Sequence, residues 1–358
     1  MKIMKTIKYA FVKIIVLTTI LSLPTACSKD NDQAVPVPAP GTILKDIYAC
    51  GNIGYRAVFW KNGLETYLTD GVRSARAYEI IVNGSDVYVV GKEDNAAEVS
   101  IPKIWKNGVL TTLTSEIAAG GIIDFDIEGA NTYVVGKTIA TTGRDAIAIW
   151  KNGVKTIMTD GTKNAVSFDV DVVGSDVYIL GYESASATVN VYKIWKNGIV
   201  MTILTDGSSD EYARKLKVLG NNVFVVGATA GRSGAIFRSF PTVWKNGTRN
   251  IISENPSSYV EDVAINGNDI YVAGYEFNAS VAIAKIWKNG VATSLTSGTT
   301  TSKSFSIAGL GNDIYVSGFE GQGSSNEIGK IWKNGTVLSS FVNPTFDISV
   351  NSIFLTTN

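Results

Sequence analysis

The sequence predicts an all-β fold, a seven-bladed β-propeller in which every blade has four antiparallel strands. The first observation is a repeat, because all seven tryptophans of the 358-residue chain begin the tetrapeptide Trp-Lys-Asn-Gly. The copies are 43 to 49 residues apart, a period that is typical of propellers and solenoids. They begin at Trp60, Trp105, Trp150, Trp195, Trp244, Trp287 and Trp332. Strand-like runs and tight turns within each repeat then favour the propeller.

Each repeat contains four runs that are rich in Val, Ile, Tyr and Thr, the residue types that favour β-strands. In the second repeat they are Tyr78 to Val82, Asp86 to Val90, Ile101 to Lys106 and Val109 to Leu113. The last two runs are joined by Asn107-Gly108, and an Asn-Gly pair supplies the positive φ angles of a two-residue type I′ hairpin. Neighbouring runs are therefore antiparallel, which argues against a solenoid of parallel coils.

The tryptophans and the chain ends show how the blades join. Each tryptophan lies just before its hairpin turn, and we expect its ring to be buried between adjacent blades. A ring of exposed stacking platforms is the alternative.

The two ends of the repeat array indicate how the ring closes. Residues 43–51 resemble a second strand, while Phe346 to Val350 and Ser352 to Thr356 resemble a further first and second strand. This is one second strand too many for a ring of 28, and we expect the C-terminal first strand to pair with the N-terminal blade.

The first 26 residues are predicted to be an export signal. A lysine-rich start precedes the apolar stretch from Ala10 to Leu23, which is short for a membrane span. Thr25-Ala26-Cys27 resembles a lipobox, in which the cysteine is lipidated and becomes the new N-terminus. An ordinary secretory peptide and an uncleaved anchor are the alternatives. Residues 27–41 then form a lipidated, proline-rich tether and residues 42–358 the propeller, which predicts an outer-membrane lipoprotein of a Gram-negative bacterium.

The repeat also resembles the extracellular repeats called HAF repeats and, more broadly, bacterial propeller lipoproteins. In one copy the resemblance is carried by Tyr178 to Glu183, Lys193 to Gly198 and Leu204-Thr205. The chain lacks the Gly-His and Trp-Asp pairs of WD40 repeats. The resemblance implies a blade and no particular activity.

Composition argues against two classes of function. The chain has 32 basic and 32 acidic residues, and residues 1–26 contain four lysines and no acid. No basic excess remains to hold a phosphate backbone, so nucleic acid is not expected as a partner. The chain has no histidine, which excludes Ser-His and Cys-His nucleophiles and the usual zinc sites. Cys50 lies in an apolar run and is expected to be buried without a disulfide.

A polar residue stands five positions before the hairpin glycine of the first strands, and strand alternation places it opposite the packed face. If the first strand is innermost, this set rings the mouth of the axial channel. There its carboxylates are suited to Ca²⁺ or to the amines and hydroxyls of a ligand. The alternative is that each Asp caps a neighbouring turn. The set is Glu79, Asp124, Asp169, Lys215, Asp262 and Ser306, with Asp347 as the last equivalent, and Asp126, Asp171 and Lys217 form a sparser second tier.

A second constellation, an aromatic residue beside a glutamate, follows the second strand. Such a pair suits a sugar, because the aromatic ring stacks on the C–H face of the sugar while the carboxylate accepts hydrogen bonds from its hydroxyl groups. Aromatic packing with an exposed glutamate is the alternative. The pairs are Tyr182 with Glu183, Tyr275 with Glu276 and Phe319 with Glu320, and Lys92-Glu93 is a weaker copy. On the same side the longest predicted loop runs from Gly227 to Thr242, and such loops on rigid scaffolds often bind ligands.

These features predict a monomeric, non-enzymatic binding module of the cell envelope, held at the membrane by its lipid, with a glycan or a protein as ligand. One alternative is a carboxylate-dependent glycoside hydrolase or lyase, which needs two acids and no histidine. The acids here recur by repeat symmetry, whereas a catalytic pair needs unlike environments. The other alternative is a structural envelope protein. No cofactor beyond Ca²⁺ is expected.

Overall fold

The computed structural model describes residues 44–111, 122–207, 210–233, 236–255, 257–322 and 325–357, all of which belong to one compact unit. Within these ranges, 28 β-strands form seven antiparallel four-stranded sheets, which are the blades. This confirms the predicted seven-bladed β-propeller. The described part of the chain has no helix that is long and apolar enough to cross a membrane. The predicted signal peptide, Cys27 and the tether lie outside the described residues.

Each blade runs from an innermost strand at the axis to an exposed outer strand. Blade 1 contains β1 (Leu44–Ile53), β2 (Arg56–Lys61) and β3 (Leu64–Tyr67), and blade 2 contains β4 (Ala75–Asn83), β5 (Asp86–Asp94), β6 (Ser100–Lys106) and β7 (Val109–Leu110). Blade 3 contains β8 (Ile122–Glu128), β9 (Asn131–Ile139), β10 (Asp145–Lys151) and β11 (Val154–Ile157). Blade 4 contains β12 (Ala165–Val173), β13 (Asp176–Ser184), β14 (Asn190–Lys196) and β15 (Ile199–Ile203).

The remaining blades repeat this order. Blade 5 contains β16 (Asp210–Leu219), β17 (Asn222–Ser233), β18 (Ile236–Lys245) and β19 (Thr248–Ile251). Blade 6 contains β20 (Ser258–Asn266), β21 (Asp269–Asn278), β22 (Val281–Lys288) and β23 (Val291–Ser294). Blade 7 contains β24 (Ser302–Leu310), β25 (Asp313–Gln322), β26 (Ser325–Lys333) and β27 (Thr336–Phe341).

The last strand, β28 (Ile348–Thr357), closes the ring, because it pairs with β1 and supplies the innermost strand of blade 1. The predicted pairing of the C-terminal strand with the N-terminal blade is confirmed. The prediction of two strands, Phe346 to Val350 and Ser352 to Thr356, is wrong. The extra residue Asn351 shifts the register between Val350 and Ser352 without ending the pairing with β1, so both runs belong to one strand.

The Asn-Gly turns have the predicted type I′ geometry. Asn107 has a φ of 52° and Gly108 a φ of 81°, and all seven copies show the same pair of positive angles. The asparagine also fastens the turn to the second strand. Its Oδ1 accepts the N–H of Val87 at 2.8 Å, and its Nδ2 donates to Asp86 at 2.9 Å. The backbone bond recurs in every blade, which explains why each repeat has asparagine here.

The hydrophobic core lies between adjacent blades. Each tryptophan is almost completely buried and packs against the preceding blade. Trp105 of blade 2, for example, lies in one cluster with Tyr48 and Phe59 of blade 1, and Trp60 of blade 1 lies in one cluster with Tyr315 of blade 7. The prediction of core tryptophans is confirmed, and the same contact repeated around the circle holds the blades together.

The prediction that Gly227 to Thr242 forms the longest loop is wrong. The second and third strands of blade 5 continue through it as a hairpin, with register pairing from Gly227 with Thr242 out to Ser233 with Ile236. Its Thr, Ile and Phe residues favour strand pairing over an irregular loop. The side chains of Arg232, Phe237 and Arg238 lie outside the described residues.

Candidate functional site

Every innermost strand carries one extra residue where it pairs with the second strand. The register shifts by one position at this point in all seven blades, which is the arrangement of a β-bulge. We call these seven residues the bulge ring. They are Tyr78, Ile123, Phe168, Arg214, Glu261, Phe305 and Asn351, and the side chain of Ile123 is outside the described residues.

In six of the seven blades, a glycine in the second strand makes room for the bulge. A Cβ atom on Gly91 would lie 2.0 Å from the carbonyl oxygen of Arg76, and one on Gly227 would lie 2.0 Å from that of Tyr212. Gly51, Gly181, Gly274 and Gly318 show the same close approach of an inner-strand carbonyl. Glycine is therefore required here because of space, since any other residue would collide with the main chain.

The bulge ring lines a cavity of about 660 Å³ at one end of the axis. All six of its described side chains face this cavity, together with Arg76, Tyr192 and Tyr212. The cavity lies toward the starts of the inner strands, on the side of the connections between blades. A second cavity of about 400 Å³ continues along the axis toward the opposite ends of these strands. We call the first space the axial mouth and the second the inner channel.

The predicted polar ring follows directly after the bulge ring and forms the floor between the axial mouth and the inner channel. Glu79, Asp124 and Lys215 line the mouth, and every ring member except Asp124 lines the channel. Ladder register gives Glu79, Asp124, Asp169, Lys215, Asp262 and Ser306 equivalent places, and Ser352 completes the set. Asp347 is not equivalent, because β28 begins after it. Its carboxylate instead accepts the N–H of Glu327 at 2.7 Å. The sequence comparison aligned Asp347 wrongly, because the last strand has no hairpin glycine from which to count and its bulge adds one residue.

Lys215 crosses the axis and binds three carboxylates of three other blades. Its Nζ lies 3.2 Å from Glu79 Oε2, 3.3 Å from Asp124 Oδ1 and 2.7 Å from Asp169 Oδ1. Burial alone would lower the pKa of Lys215, but the carboxylates of Asp124 and Asp169 outweigh it and raise that pKa. Burial also raises the pKa of Asp169 well above its ordinary value, with Lys215 opposing the change. The lysine is held in its charged form.

The same acids also join neighbouring blades. Asp124 Oδ2 accepts the N–H of Val170 at 3.0 Å, and Asp169 Oδ2 accepts that of Leu216 at 2.5 Å. Asp262 binds Ile307 in the same way. Each of these donors belongs to the inner strand of the next blade, whose axial edge has no partner strand. These acids therefore do not cap turns, as the alternative interpretation had it. They accept hydrogen bonds from the inner strand of the adjacent blade.

The second tier lines the inner channel. Asp126 accepts the N–H of Val172 at 2.6 Å, and Lys217 pairs with Asp171 at 2.7 Å. Burial, with the nearby carboxylate of Asp171, raises the pKa of Asp126 to about 6. Within the described ranges no three or more acids or cysteines are grouped as metal ligands would be. Three carboxylates of the floor converge on the Lys215 ammonium group, so the expectation of Ca²⁺ gains no support.

The aromatic and glutamate pairs are packed into the blades. Tyr275 and Phe319 are buried, and the ring of Tyr275 stacks on Tyr259 at a centroid distance of 5.1 Å. Each glutamate pairs with a lysine of the third strand of its own blade, which neutralises its charge. The pairs are Glu183 with Lys193, Glu276 with Lys285, Glu320 with Lys330 and Glu93 with Lys103. The aromatic packing of the alternative is present, but its exposed glutamate is not, because the glutamates are buried or half-buried against their lysines.

Sequence reasoning missed the bulge ring, Arg76, Tyr192 and Tyr212. A signal was present, because the bulge position is always the sixth before the hairpin glycine in the first six inner strands. The position two residues later is apolar in every blade, whereas the bulge position changes between aromatic, aliphatic, basic, acidic and amide side chains. A position that varies within an otherwise regular repeat makes the blades chemically different from one another.

No protein-family model matches the chain, and no curated protein matches its sequence. Its fold is similar to that of a Mycobacterium tuberculosis puromycin-hydrolyzing peptidase, with a TM-score of 0.54 and 9% identity over 87% of this chain and 56% of the other. A puromycin hydrolase mutant complexed with PGG gives a TM-score of 0.55 and 10% identity over 88% and 55%. The β-propeller domain of the Trilobed protease from Pyrococcus furiosus gives 0.48 and 11% over 72% and 81%.

These similarities correct the functional expectation. The non-enzymatic envelope module for a glycan or a protein is overturned, because the similar structures are peptidases that contain a propeller. The glycoside hydrolase and structural alternatives fall with it. The chain spans about half the length of these peptidases, and at about 10% identity the likeness shows a shared scaffold. What the chain shares with them is the β-propeller scaffold, and no activity is transferred.

Proposed function

We propose that this propeller is a scaffold whose axial mouth binds one small organic molecule. The observation that carries the proposal is the bulge ring, whose six described members differ in chemistry and all face one cavity. A purely structural position would be filled by similar residues in equivalent blades, as the tryptophan and asparagine positions are. Different side chains arranged around one axis suit a ligand that is itself asymmetric.

The dimensions and the lining support a small molecule. The cavity of about 660 Å³ falls in the range of about 300 to 1,000 Å³ in which drug-sized ligands bind. Aromatic side chains from blades 2, 4, 5 and 7 supply apolar contact, and a few charged groups stand among them. Such a combination of apolar walls with a small number of placed polar groups is typical of small-molecule sites.

The proposal is binding without chemical turnover in the mouth. The buried carboxylates of the floor each have fixed partners, since Asp124 and Asp169 accept a backbone N–H with one oxygen and Lys215 with the other. A general acid or base must exchange its proton with a substrate within hydrogen-bond reach. Carboxylates that hold the blades together serve that purpose poorly.

The test compares two aromatic residues of similar exposure. Tyr78 in the mouth is 37% exposed and Tyr67 on the outer strand β3 is 41% exposed. Melting temperatures are measured with millimolar L-phenylalanine, choline, adenosine, spermidine and benzoate, because a ligand that binds only the folded state raises the melting temperature. We expect at least one compound to stabilise the wild type and Tyr67→Ala but not Tyr78→Ala. No stabilisation by any compound, or equal stabilisation of both variants, would contradict the proposal.

We further propose that the chain is exported and anchored in the outer membrane through a lipid on Cys27, as an extracellular HAF-like repeat protein. The support is the lysine-rich start, the apolar stretch and the lipobox-like Thr25-Ala26-Cys27. Metabolic labelling with a radioactive fatty acid in a Gram-negative host tests this. Label is expected on the wild type and on Cys50→Ser but not on Cys27→Ser, and label on Cys27→Ser would refute it.

A further inference from the structure

We infer that the axial mouth binds an amino-acid zwitterion with an aromatic side chain, such as phenylalanine. The inference rests on the proposed function, since it names the ligand class of the same cavity. It uses three features of the lining: a surplus of negative charge at the floor, an arginine without a salt bridge, and an aromatic wall.

The floor has a surplus of negative charge that a cationic group of a ligand would balance. The carboxyl groups of Glu79, Asp124 and Asp169 share the single ammonium group of Lys215. Burial raises the pKa of Asp169 and favours its neutral form, but the carboxylates of Glu79 and Asp124 still outnumber the one ammonium group. Only Glu79 is accessible from the mouth, because its side chain is 23% exposed and those of the two aspartates are 3% exposed. Glu79 is therefore the acceptor for an ammonium group.

Arg76 supplies the opposite charge on the same strand. It is exposed, lines the mouth, and makes no salt bridge within the described part of the chain. Arg214, the other arginine of the mouth, differs because it already pairs with Glu261 at 2.5 Å. A guanidinium group binds a carboxylate through two parallel hydrogen bonds. Strand β4 thus presents Arg76 and Glu79 on either side of Tyr78, as a pair of sites for the carboxylate and the ammonium group of one amino acid.

The aromatic wall accounts for the side chain of that ligand. The ring of Phe168 stacks on Tyr192 with a centroid distance of 5.8 Å and an interplanar angle of 24°. Phe305 packs against Phe319 at 5.7 Å, so both bulge-ring phenylalanines are held by a second ring. Both line the mouth with Tyr212. Aromatic pairs add favourable energy beyond the burial of area, which favours a ligand ring over an aliphatic chain.

The test removes each group of the ligand in turn. Isothermal titration calorimetry at pH 7 compares L-phenylalanine with N-acetyl-L-phenylalanine, L-phenylalaninamide and L-alanine. These lack the ammonium charge, the carboxylate and the ring, respectively. Because a hydrogen bond to a charged group contributes about 1.5–3 kcal/mol, each of the first two changes is expected to weaken binding about tenfold or more. L-Alanine, which lacks the ring, is expected to bind no more tightly than these two analogues.

Variants of the protein then match groups of the ligand to residues. Glu79→Gln is expected to weaken the binding of L-phenylalanine about tenfold and to leave the binding of N-acetyl-L-phenylalanine unchanged. Arg76→Gln is likewise expected to weaken the binding of L-phenylalanine about tenfold and to leave the binding of L-phenylalaninamide unchanged. Glu65→Gln and Arg73→Gln change exposed residues outside the mouth and serve as controls. A loss of fold would weaken all ligands equally, so this selective pattern separates recognition from stability.

The outcomes distinguish the inference from the proposed function. If L-phenylalanine does not bind but choline, adenosine, spermidine or benzoate binds in a manner that depends on Tyr78, the zwitterion inference is overturned and the proposed function stands. If L-phenylalanine binds but Glu79→Gln and Arg76→Gln act equally on all analogues, the assigned orientation is overturned. If no compound binds, both fail together.

Discussion

The hairpin turns and the axial mouth use the same pair of residue types in opposite ways. At the hairpin turns, Lys106 pairs with Asp86 of its own blade at 2.7 Å, and both side chains are open to water. At the axial mouth, Lys215 pairs with acids of three other blades and is largely enclosed. The turn pair is a local, screened contact, whereas the axial cluster forms only when four blades pack around the axis. The difference teaches that location, more than residue type, decides what a salt bridge contributes.

The largest effect is expected for Lys215→Met. Removal of one partner from a buried ion cluster leaves carboxylates without compensation, and such changes cost about 3–5 kcal/mol. The free energy of unfolding from urea titrations at pH 7 should fall by this amount. The loss should be smaller at pH 4, where the carboxyls left behind become protonated. An equal loss at both pH values would show that the cluster acts by packing alone.

A smaller effect is expected for the glycine that makes room for a bulge. Gly91→Ala places a Cβ 2.0 Å from the Arg76 carbonyl oxygen, so the inner strand must move, at a cost of about 3 kcal/mol. Gly108→Ala at the turn meets nothing closer than 3.7 Å and incurs only the strain of its φ of 81°, about 1–2 kcal/mol. Urea titration compares the two variants. A larger loss for Gly108→Ala would contradict this account of the bulge.

The next effect concerns pH. The pKa of Asp126 is raised to about 6 in the folded protein, so the folded state holds a proton that the unfolded state releases between about pH 4 and pH 6. The contribution of Asp126 to stability therefore falls as the pH rises through this window. Asp126→Asn should gain about 1–3 kcal/mol relative to the wild type between pH 4 and pH 7.

The control for this pH dependence has the opposite sign. Lys196 and Asn197 hold the pKa of the partly exposed Asp176 below its usual range. Its contribution is therefore present above its unfolded pKa and is lost as the pH falls through the lower folded value. Urea titrations of Asp126→Asn and Asp176→Asn from pH 3 to pH 7 should show opposite slopes relative to the wild type. Parallel slopes would rule out the assignment to Asp126.

The smallest effect is expected for Lys106→Ala. Its side chain is partly exposed, and its ammonium group pairs with Asp86 and lies 5.2 Å from the centre of the Tyr88 ring. Surface pairs of this kind contribute little and are screened by salt. The melting temperature in 0.5 M salt should equal that of the wild type. A clear decrease that persists in salt would mean that the turn pair is structural after all.

The sequence predicted the features that are local. The Trp-Lys-Asn-Gly repeat indicated seven blades, and Asn-Gly indicated the turn type, because each depends on a few adjacent residues. The contact between Lys215 and Glu79 joins residues 136 positions apart, and no spacing rule points to it. The bulge was also missed, since one extra residue changes register without changing composition. For that reason Asp347 was placed where Ser352 stands, and the ring of mouth residues was not recognised.

Closure by β28 has a consequence for the order of biosynthesis. Blades 2 to 7 have all four strands as soon as each has left the ribosome, but blade 1 waits for Ile348–Thr357. Ser349 and Asn351 of that strand line the mouth, and Asn351 donates a hydrogen bond to Ala77 of blade 2 at 2.8 Å. A nascent chain therefore has no complete binding cavity until Ile348–Thr357 has been synthesised and has paired with β1, so a ligand of the mouth cannot guide the earlier folding steps.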